Sequence, residues 1–310
     1  KNNIAFDFLF KLSNKKNKLN VDDLGFFIGP IINSGGRLGK SNYGTQLLSS
    51  NDQKIVSDKS IQLIELNNKR KEIETKILNE IDFEKIKKNN KEVIIYYNPN
   101  LNEGLIGIIA ARLKDYFNKP TLVITKSNNF LKGSARSIYN YNIGKIIKIL
   151  KDKKIIEKGG GHNMAAGFTM KKDKIKLLEK FIIKDFIKSF PENSFLNTYD
   201  IEISSSAINQ NFFNEIKKIE PFGTGNELPI FLIKELKIIK TSVLNNRHIS
   251  AILKPKIGST IKSISFNSLN TEIGKYLLSY KKNVNVIGQI QENIWNNKKT
   301  IQLNINDILI

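Results

Sequence analysis

The chain has 310 residues, which is enough for two or three domains with ordinary hydrophobic cores. It has no cysteine, which excludes a disulfide framework and a thiolate zinc site and agrees with a reducing cytoplasm. No apolar run reaches the roughly 18 residues of a membrane span, and no signal peptide opens the sequence. We therefore expect a cytoplasmic protein and, because the chain begins at Lys1 rather than Met, a fragment.

The formal net charge of +21 favours nucleic acid as a partner, because a basic surface releases counterions from it. Compositional drift in an A/T-rich genome is the alternative, since Lys, Asn and Ile are abundant throughout. Only five of the 50 basic residues are arginine, the side chain whose planar fork fits a phosphate. Two of them, Arg37 and Arg136, lie in polar Gly/Ser motifs, so they are our candidate phosphate ligands.

The first 50 residues do not form a domain by themselves. Apolar side chains in residues 4–10 predict a helix or strand that needs a missing partner to pack on. A short helix is expected to follow and to be broken by Pro30. Residues 33–39 then predict a glycine-rich polar loop that presents Arg37, with a plain turn as the alternative.

Residues 52–89 contain no Gly or Pro and carry an apolar seam at helical spacing. They predict one long helix of about 54 Å, enough to bridge two domains. Both a coiled coil and a spacer fit this pattern. Arg70 lies on this helix and is predicted to be a solvated charge.

Strands and helices alternate over residues 91–190, which predicts an α/β domain. The predicted strands are Val93–Tyr97, Leu122–Thr125 and Phe130–Arg136, and the predicted helices are Gly107–Tyr116, Ile143–Leu150 and Lys172–Phe190. Ser134 and Arg136 share one face of their strand because they are two residues apart. Arg112 lies on the helix that follows Gly107 and is predicted to be structural.

Three glycines, Gly159, Gly160 and Gly161, precede His162. They predict a loop whose bare backbone N–H groups approach an anion closely, and a helix is expected to start in Asn163–Gly167. A glycine triplet alone is more often a plain loop, and a lone Ser-x-Arg is common. Because both motifs lie within 31 residues of one α/β segment, together they predict a phosphate site.

Residues 195–310 contain short β-rich runs with Asn, Ser and Gly turns. The predicted strands are Thr198–Ile203, Ile230–Leu244, His248–Leu253, Thr260–Phe266, Asn283–Gln289 and Thr300–Ile305. About five strands with one or two helices suit an OB-like barrel, which binds single strands by a basic groove and stacking aromatics. Phe222 and Trp295 are candidates for stacking, although burial is the commoner role of an aromatic. Pro221–Asn226 predicts a rigid joint between this barrel and the α/β domain, and His248 a satisfied barrel residue.

These motifs resemble those of the DHH phosphoesterase superfamily. Residues 132–138 (KGSARSI) and 159–167 (GGGHNMAAG) are similar to its accessory DHHA1 domain. Residues 29–37, with their Gly-Pro, Asn, Gly and Arg, residues 104–113 (GLIGIIAARL) and residues 221–226 (PFGTGN) resemble the RecJ family of single-strand-specific DNA exonucleases. The resemblance covers nearly the whole chain and includes the order of the motifs.

The resemblance implies both the domain organisation and the fold class. The implied domains are the end of a DHH catalytic domain (1–50), a connecting long helix (51–90), a DHHA1 substrate-binding domain (91–192) and an OB-like nucleic-acid-binding domain (193–310). The fold class is therefore α/β plus β, with a DHHA1-type α/β domain followed by an OB-like β-barrel.

The resemblance also implies a metal-dependent single-stranded-DNA-specific 5′-to-3′ exonuclease of DNA repair and recombination. Mg²⁺ or Mn²⁺ would be its cofactor, and single-strand-binding protein and a helicase are candidate partners. It implies that Arg37, Ser134 and Arg136 hold the 5′-terminal phosphate, and that Gly159–Gly161 and a catalytic His162 lie near the cleaved phosphate. Relatives carry a His just before Gly104, where this chain has Asn102 and Glu103, so the role of that His in positioning DNA is not carried over.

The metal ligands of such an enzyme are absent from this sequence. It contains only His162 and His248, no DHH triplet, and Asp22-Asp23 as its nearest approach to a carboxylate cluster. We therefore expect the catalytic domain to lie upstream of Lys1 and the chain alone to be inactive. A phosphodiesterase for short oligonucleotides or cyclic dinucleotides would not need the barrel, and an alanyl-tRNA-type DHHA1 domain would lack PFGTGN. A non-catalytic single-strand-binding or scaffold relative also fits.

Overall fold

The computed structural model divides the chain into two units, Lys1–Ser194 and Phe195–Ile310. The structure describes residues 3–15, 19, 21–189, 198–223, 225–269, 271–279, 283–295 and 298–309. None of the helices in these ranges is both long and apolar enough to cross a membrane.

Helices open the first unit and pack around one long helix. They are α1 (Ile4–Leu12), a π-helix (Asp23–Ile28), α2 (Gly29–Arg37), α3 (Asn42–Ser49) and α4 (Gln53–Glu80). Ala5 and Leu9 of α1 are buried in one apolar cluster with Val56 and Leu63 of α4. The prediction that residues 4–10 lack a packing partner is therefore wrong, because the first half of α4 provides one.

The glycine-rich segment around Arg37 is helical, not a loop. The prediction that Pro30 breaks a helix is wrong, because the π-helix continues directly into α2 and the backbone stays helical through Pro30, in the first turn of α2. Gly35 allows close packing, since a Cβ there would lie 2.6 Å from the Lys40 carbonyl oxygen and 3.1 Å from Leu63 Cδ2. Arg37 is the last residue of α2.

The single long helix predicted for residues 52–89 is divided in two. Helix α4 ends at Glu80, and Ile81 is extended with its side chain buried. Asp82 then accepts a hydrogen bond from the Lys85 N–H at 2.8 Å and caps a second helix, α5 (Phe83–Lys88). The local cap and the burial of Ile81 decide the break, and α4 is about 42 Å long.

The rest of the first unit is an α/β domain. Its elements are β1 (Ile94–Tyr97), α6 (Ile106–Phe117), β2 (Thr121–Ser127), β3 (Phe130–Arg136), α7 (Ile143–Asp152), β4 (Lys158–His162), β5 (Ala165–Met170) and α8 (Ile175–Ser189). The sheet order is β1-β2-β3-β5-β4, with only β1 and β2 parallel. Helix α6 packs on one face through Val123, and α7 and α8 pack on the other through Leu122 and Ile124.

In its described residues, the second unit is a closed five-stranded barrel with one further short strand paired beside it and two α-helices. Its elements are β6 (Ile201–Glu202), α9 (Gln210–Lys217), β7 (Phe231–Leu244), β8 (His248–Lys254), β9 (Ile261–Ser265), α10 (Glu272–Leu278), β10 (Asn283–Trp295) and β11 (Lys298–Leu309). Strands pair in the order β7-β8-β9-β11-β10, and β10 returns to β7. The predicted fold class, an α/β domain followed by an OB-like barrel, is confirmed.

The structure describes the surroundings of two of the three candidate side chains in the second unit, Phe222 and His248. Phe222 is half-buried against the barrel core. His248 is satisfied as predicted: its Nδ1 accepts a hydrogen bond from the Asn267 N–H at 2.9 Å. Partial burial and the charge of Arg247 lower the pKa of His248. The side chain of Trp295 lies outside the described residues.

The Pro221–Asn226 segment connects α9 to β7 inside the second unit. The Asn226 side-chain amide donates hydrogen bonds to the carbonyl oxygens of Ile219 at 2.8 Å and Pro221 at 2.9 Å. These bonds close a turn. The prediction that this segment joins the two domains is therefore wrong, because both of its ends belong to the same unit.

Candidate functional site

A cavity of about 600 Å³ lies in the first unit among the π-helix, α2, α4, α6 and the end of β3. Four of the five arginines line it, namely Arg37, Arg70, Arg112 and Arg136, and so does Lys71. None of the described residues that line it is acidic. The cavity therefore has the charge of an anion site.

Arg136 is fixed on β3 by the hydroxyl beside it. Its Nη1 donates to Ser134 Oγ at 3.1 Å and to the Ala135 carbonyl oxygen at 2.8 Å. These two side chains share a strand face, as their spacing predicts. Gly107, in the first turn of α6, lies directly above them, since a Cβ there would be 2.9 Å from Arg136 Nη2 and 3.1 Å from Ser134 Oγ. Arg136 and Ser134 thus meet α6 only because Gly107 has no side chain.

Arg37 reaches the same place from the end of α2. Its Nη1 donates to the Gly104 carbonyl oxygen at 3.0 Å, and a Cβ on Gly104 would lie 2.2 Å from the Arg37 carbonyl oxygen. The two segments are therefore in direct backbone contact. Burial and the Arg70 charge lower the pKa of Arg37, while burial and the Arg37 charge lower the pKa of Arg136. A bound anion would relieve this mutual repulsion.

Arg70 and Arg112 share one carboxylate. Arg70 Nη1 donates to Glu74 Oε2 at 2.5 Å, and Arg112 Nε donates to Glu74 Oε1 at 2.7 Å. Arg70 Nε also donates to Asn67 Oδ1 at 3.1 Å. Arg70 is only 8% exposed and is paired with Glu74, so the prediction of a solvated charge is wrong. Sequence reasoning missed both residues as site residues, although their being arginine in a lysine-rich chain was a signal.

The glycine triplet forms a strand, not a loop. Residues 158–162 are β4, the edge of the sheet, and pair with β5, so the helix predicted to start in Asn163–Gly167 is absent. Two rows of neighbouring residues cross strands β3, β5 and β4. One row consists of Arg136, Ala165 and His162, and the other consists of Ser134, Gly167 and Gly160. All six face the same side of the sheet. His162 and Gly160 are therefore about 10 Å, or two strand spacings, from Arg136 and Ser134.

The three glycines of β4 have different surroundings. A Cβ on Gly159 would lie 2.7 Å from Ile147 Cγ2, and one on Gly161 would lie 2.3 Å from the Ala165 carbonyl oxygen. A Cβ on Gly160 would meet nothing within 4 Å. Gly160 therefore pairs with exposed Gly167 in a patch of bare backbone, whereas packing accounts for Gly159 and Gly161.

The residues just before Gly104 hold the turn into α6. Asn102 Oδ1 accepts a hydrogen bond from the Gly104 N–H at 2.8 Å. Glu103 pairs with Lys132 Nζ at 3.0 Å, and hydrogen bonds from Ser127 and Lys132 lower the pKa of Glu103. Both side chains thus have local structural partners.

A metal centre is not found in the described part of the chain. No three His, Asp or Glu side chains there lie close enough together to hold an ion. His162 and His248 belong to different units, and Asp23 forms an ion pair with Lys15. These residues do not fit a two-metal site, so no reaction step is assigned to a metal here.

Comparison with known families matches two segments of the chain. The DHHA1 domain model matches residues 90–188, and the RecJ OB domain model matches residues 199–307. The chain is 30% identical over 285 residues to the single-stranded-DNA-specific exonuclease RecJ of Haemophilus influenzae, covering 85% of this chain and 49% of that relative. It is 26% identical to RecJ of Bacillus subtilis, covering 100% of this chain and 40% of the relative. The chain thus spans about half the length, or less, of the curated relatives it matches.

Solved structures show the same fold. The crystal structure of RecJ in complex with Mn²⁺ from Thermus thermophilus matches with a TM-score of 0.76 and 22% identity, covering 100% of this chain and 44% of that chain. The Mg²⁺ complex of RecJ from the same organism matches with a TM-score of 0.75 and 21% identity, covering 99% and 46%.

Proposed function

The chain belongs to the RecJ family, and we propose that it is the substrate-binding part of a single-stranded-DNA-specific 5′-to-3′ exonuclease. The proposed cofactor of the intact enzyme is Mg²⁺ or Mn²⁺, the ions present in the related crystal structures. Because the described residues do not form a metal centre, the role of this chain is to bind and position the strand. A cytoplasmic role in DNA repair and recombination, with single-strand-binding protein and a helicase as partners, is proposed from the family resemblance.

The convergence of Arg37, Ser134 and Arg136 carries this proposal. A terminal phosphate monoester has a charge of about −1.5 to −2 at neutral pH, whereas an internal phosphodiester has about −1. The cluster contains two guanidinium groups beside a hydroxyl, and no described acidic residue lines the cavity. Its positive charge therefore matches the monoester better than the diester. The cluster is therefore proposed to hold the 5′-terminal phosphate.

Outside the cavity, the strand is proposed to lie along the open sheet face of the first unit, and the barrel of the second unit is proposed to bind single strands as well. Gly160 and Gly167 leave bare backbone on the face that carries Arg136, so a sugar-phosphate chain can approach closely. His162 is exposed on that face and is proposed to act near the phosphate that is cleaved. The OB-type barrel would bind single strands by its usual groove.

A binding experiment tests the proposed 5′-phosphate site. We expect this chain to bind a short single-stranded DNA with a 5′-phosphate about 10-fold to 100-fold more tightly than the same strand with a 5′-hydroxyl. Arg136→Ala should abolish this preference. Arg247→Ala, which removes an exposed arginine of the second unit, should keep it. Fluorescence anisotropy at fixed salt measures both, because the affinity depends on ionic strength.

Cleavage of the DNA can be followed in the same samples after Mg²⁺ or Mn²⁺ is added. The chain alone is expected to leave the DNA intact. Equal affinity for the 5′-phosphate and 5′-hydroxyl strands would contradict the phosphate site. The chain would then be a basic single-strand binder, which is the scaffold alternative. Cleavage by the purified chain would show that a metal site forms within it.

Gly160→Ala tests the bare patch on β4. We expect the free energy of unfolding to stay unchanged or to rise by up to about 1 kcal/mol, because alanine loses less backbone entropy and meets no neighbour. Single-strand affinity should nevertheless fall. Thermal unfolding and anisotropy separate the two effects, and Gly161→Ala is the comparison, since its Cβ would clash with Ala165 and lower stability. Unchanged affinity in a stable Gly160→Ala protein would remove β4 from the binding path.

A further inference from the structure

The cavity holds more positive charge than a terminal phosphate requires. Arg37 and Arg136 suffice to balance a monoester. Arg70, Lys71 and Arg112 also line the cavity, and Glu74 offsets only one of these three charges. A second anionic group would offset part of the two positive charges that remain.

Arg136 and Arg112 are located at different positions along the axis of α6, and each belongs to one of two sets of cations: Arg37 with Arg136, and Arg70 and Lys71 with Arg112. Gly107 contacts Arg136 and Ser134, while Arg112 lies five residues further on, about 7.5 Å along the helix axis. Ile108 and Ala111 line the cavity between them. This axial offset between two backbone positions is of the order of the spacing of adjacent phosphates in an extended strand.

Glu74 orients the second set. Each of its oxygens accepts from a different guanidinium, so Arg70 and Arg112 are held side by side. A guanidinium has five N–H donors, and only two of those of Arg70 have partners among the described residues. Donors on both arginines thus remain for an anion.

We propose that Arg70, Arg112 and Lys71 form a second anion subsite that binds a phosphate covalently linked to the terminal one. The proposal rests on the proposed function and extends it from one phosphate to two. The second phosphate belongs either to the bond between the first two nucleotides or to a diphosphate end. Phe26 lines the same cavity and is 84% exposed, which offers a ring to a base and favours the internucleotide phosphate.

Calorimetric titration of the chain with TpT, pT, pTpT, orthophosphate and pyrophosphate tests the subsite. We expect pTpT to bind about 10-fold more tightly than pT. Arg112→Ala should remove this gain, and it should fold because the Arg112 side chain is 56% exposed. Lys71→Ala, an exposed change that leaves Glu74 in place, should reduce the gain. Lys114→Ala removes a charge from α6 outside the cavity and should have no effect.

The outcomes separate the two proposals. Equal affinity for pT and pTpT together with no gain for pyrophosphate over orthophosphate, or a gain that persists in both Arg112→Ala and Lys71→Ala, would overturn the second subsite. TpT binding as tightly as pTpT would instead overturn the terminal-phosphate site. An Arg112-dependent gain for pyrophosphate over orthophosphate, without one for pTpT over pT, would support the subsite and assign it to a diphosphate end.

Discussion

Glu74→Ala is expected to lower the free energy of unfolding of the first unit by about 3–5 kcal/mol. The change removes the carboxylate that pairs with Arg70, and the 8% exposed guanidinium is then left beside other positive charges without a counterion. Arg112 loses its partner as well, but it is more exposed and adds less. Denaturant unfolding followed by circular dichroism measures the difference.

Glu72→Ala is the matched control for this change. Glu72 lies on the same helix, is exposed and is not adjacent to the cavity, so its removal should alter stability by no more than about 0.5 kcal/mol. Glu74→Gln keeps the side-chain shape and one acceptor oxygen, so its loss of stability should lie between those of Glu74→Ala and Glu72→Ala. If Glu74→Ala were as stable as Glu72→Ala, Arg70 would have to reach water, contrary to its burial.

Gly104→Ala is expected to cost about 3 kcal/mol of stability and to abolish the preference for a 5′-phosphate. The new Cβ would lie 2.2 Å from the Arg37 carbonyl oxygen and 2.8 Å from Arg37 Cα. Both atoms are backbone, so no side-chain rotation relieves the overlap, and the cost is at the upper end of the range for overpacking. The end of α2 must move, and Arg37 moves with it. Thermal unfolding measures the loss of stability. The affinities for 5′-phosphate and 5′-hydroxyl DNA measure the loss of the preference.

Gly36→Ala provides the control in the neighbouring element. A Cβ at Gly36 meets nothing within 4 Å, so alanine should stabilise α2 by about 0.5–1 kcal/mol and leave the 5′-phosphate preference intact. Gly104→Ala behaving like Gly36→Ala would mean that α2 and the segment before α6 are not in contact. The position of Arg37 would then be wrong.

Elements with a regular side-chain period were predictable from the sequence. The period-two pattern of Phe130–Arg136 placed Ser134 and Arg136 on one strand face, and a hydrogen bond now joins them. The barrel strands were found for the same reason, because apolar residues alternate along them. Glycine has no side chain and therefore no period, which is why β4 was mistaken for a loop and Asn33–Arg37 for another.

By itself the sequence determined the fold class, most of the helices and strands, and two of the arginines that line the cavity. Only the tertiary structure decided that Arg70 and Arg112 join them, because a helical pattern shows which face a side chain occupies but not what packs against it. Arg37, Arg70, Arg112 and Arg136 come from four segments far apart along the chain, and they meet where α2, α4, α6 and β3 pack together. The shared carboxylate of Glu74 and the close approach at Gly104 and Gly107 are long-range contacts, and no local pattern encodes them.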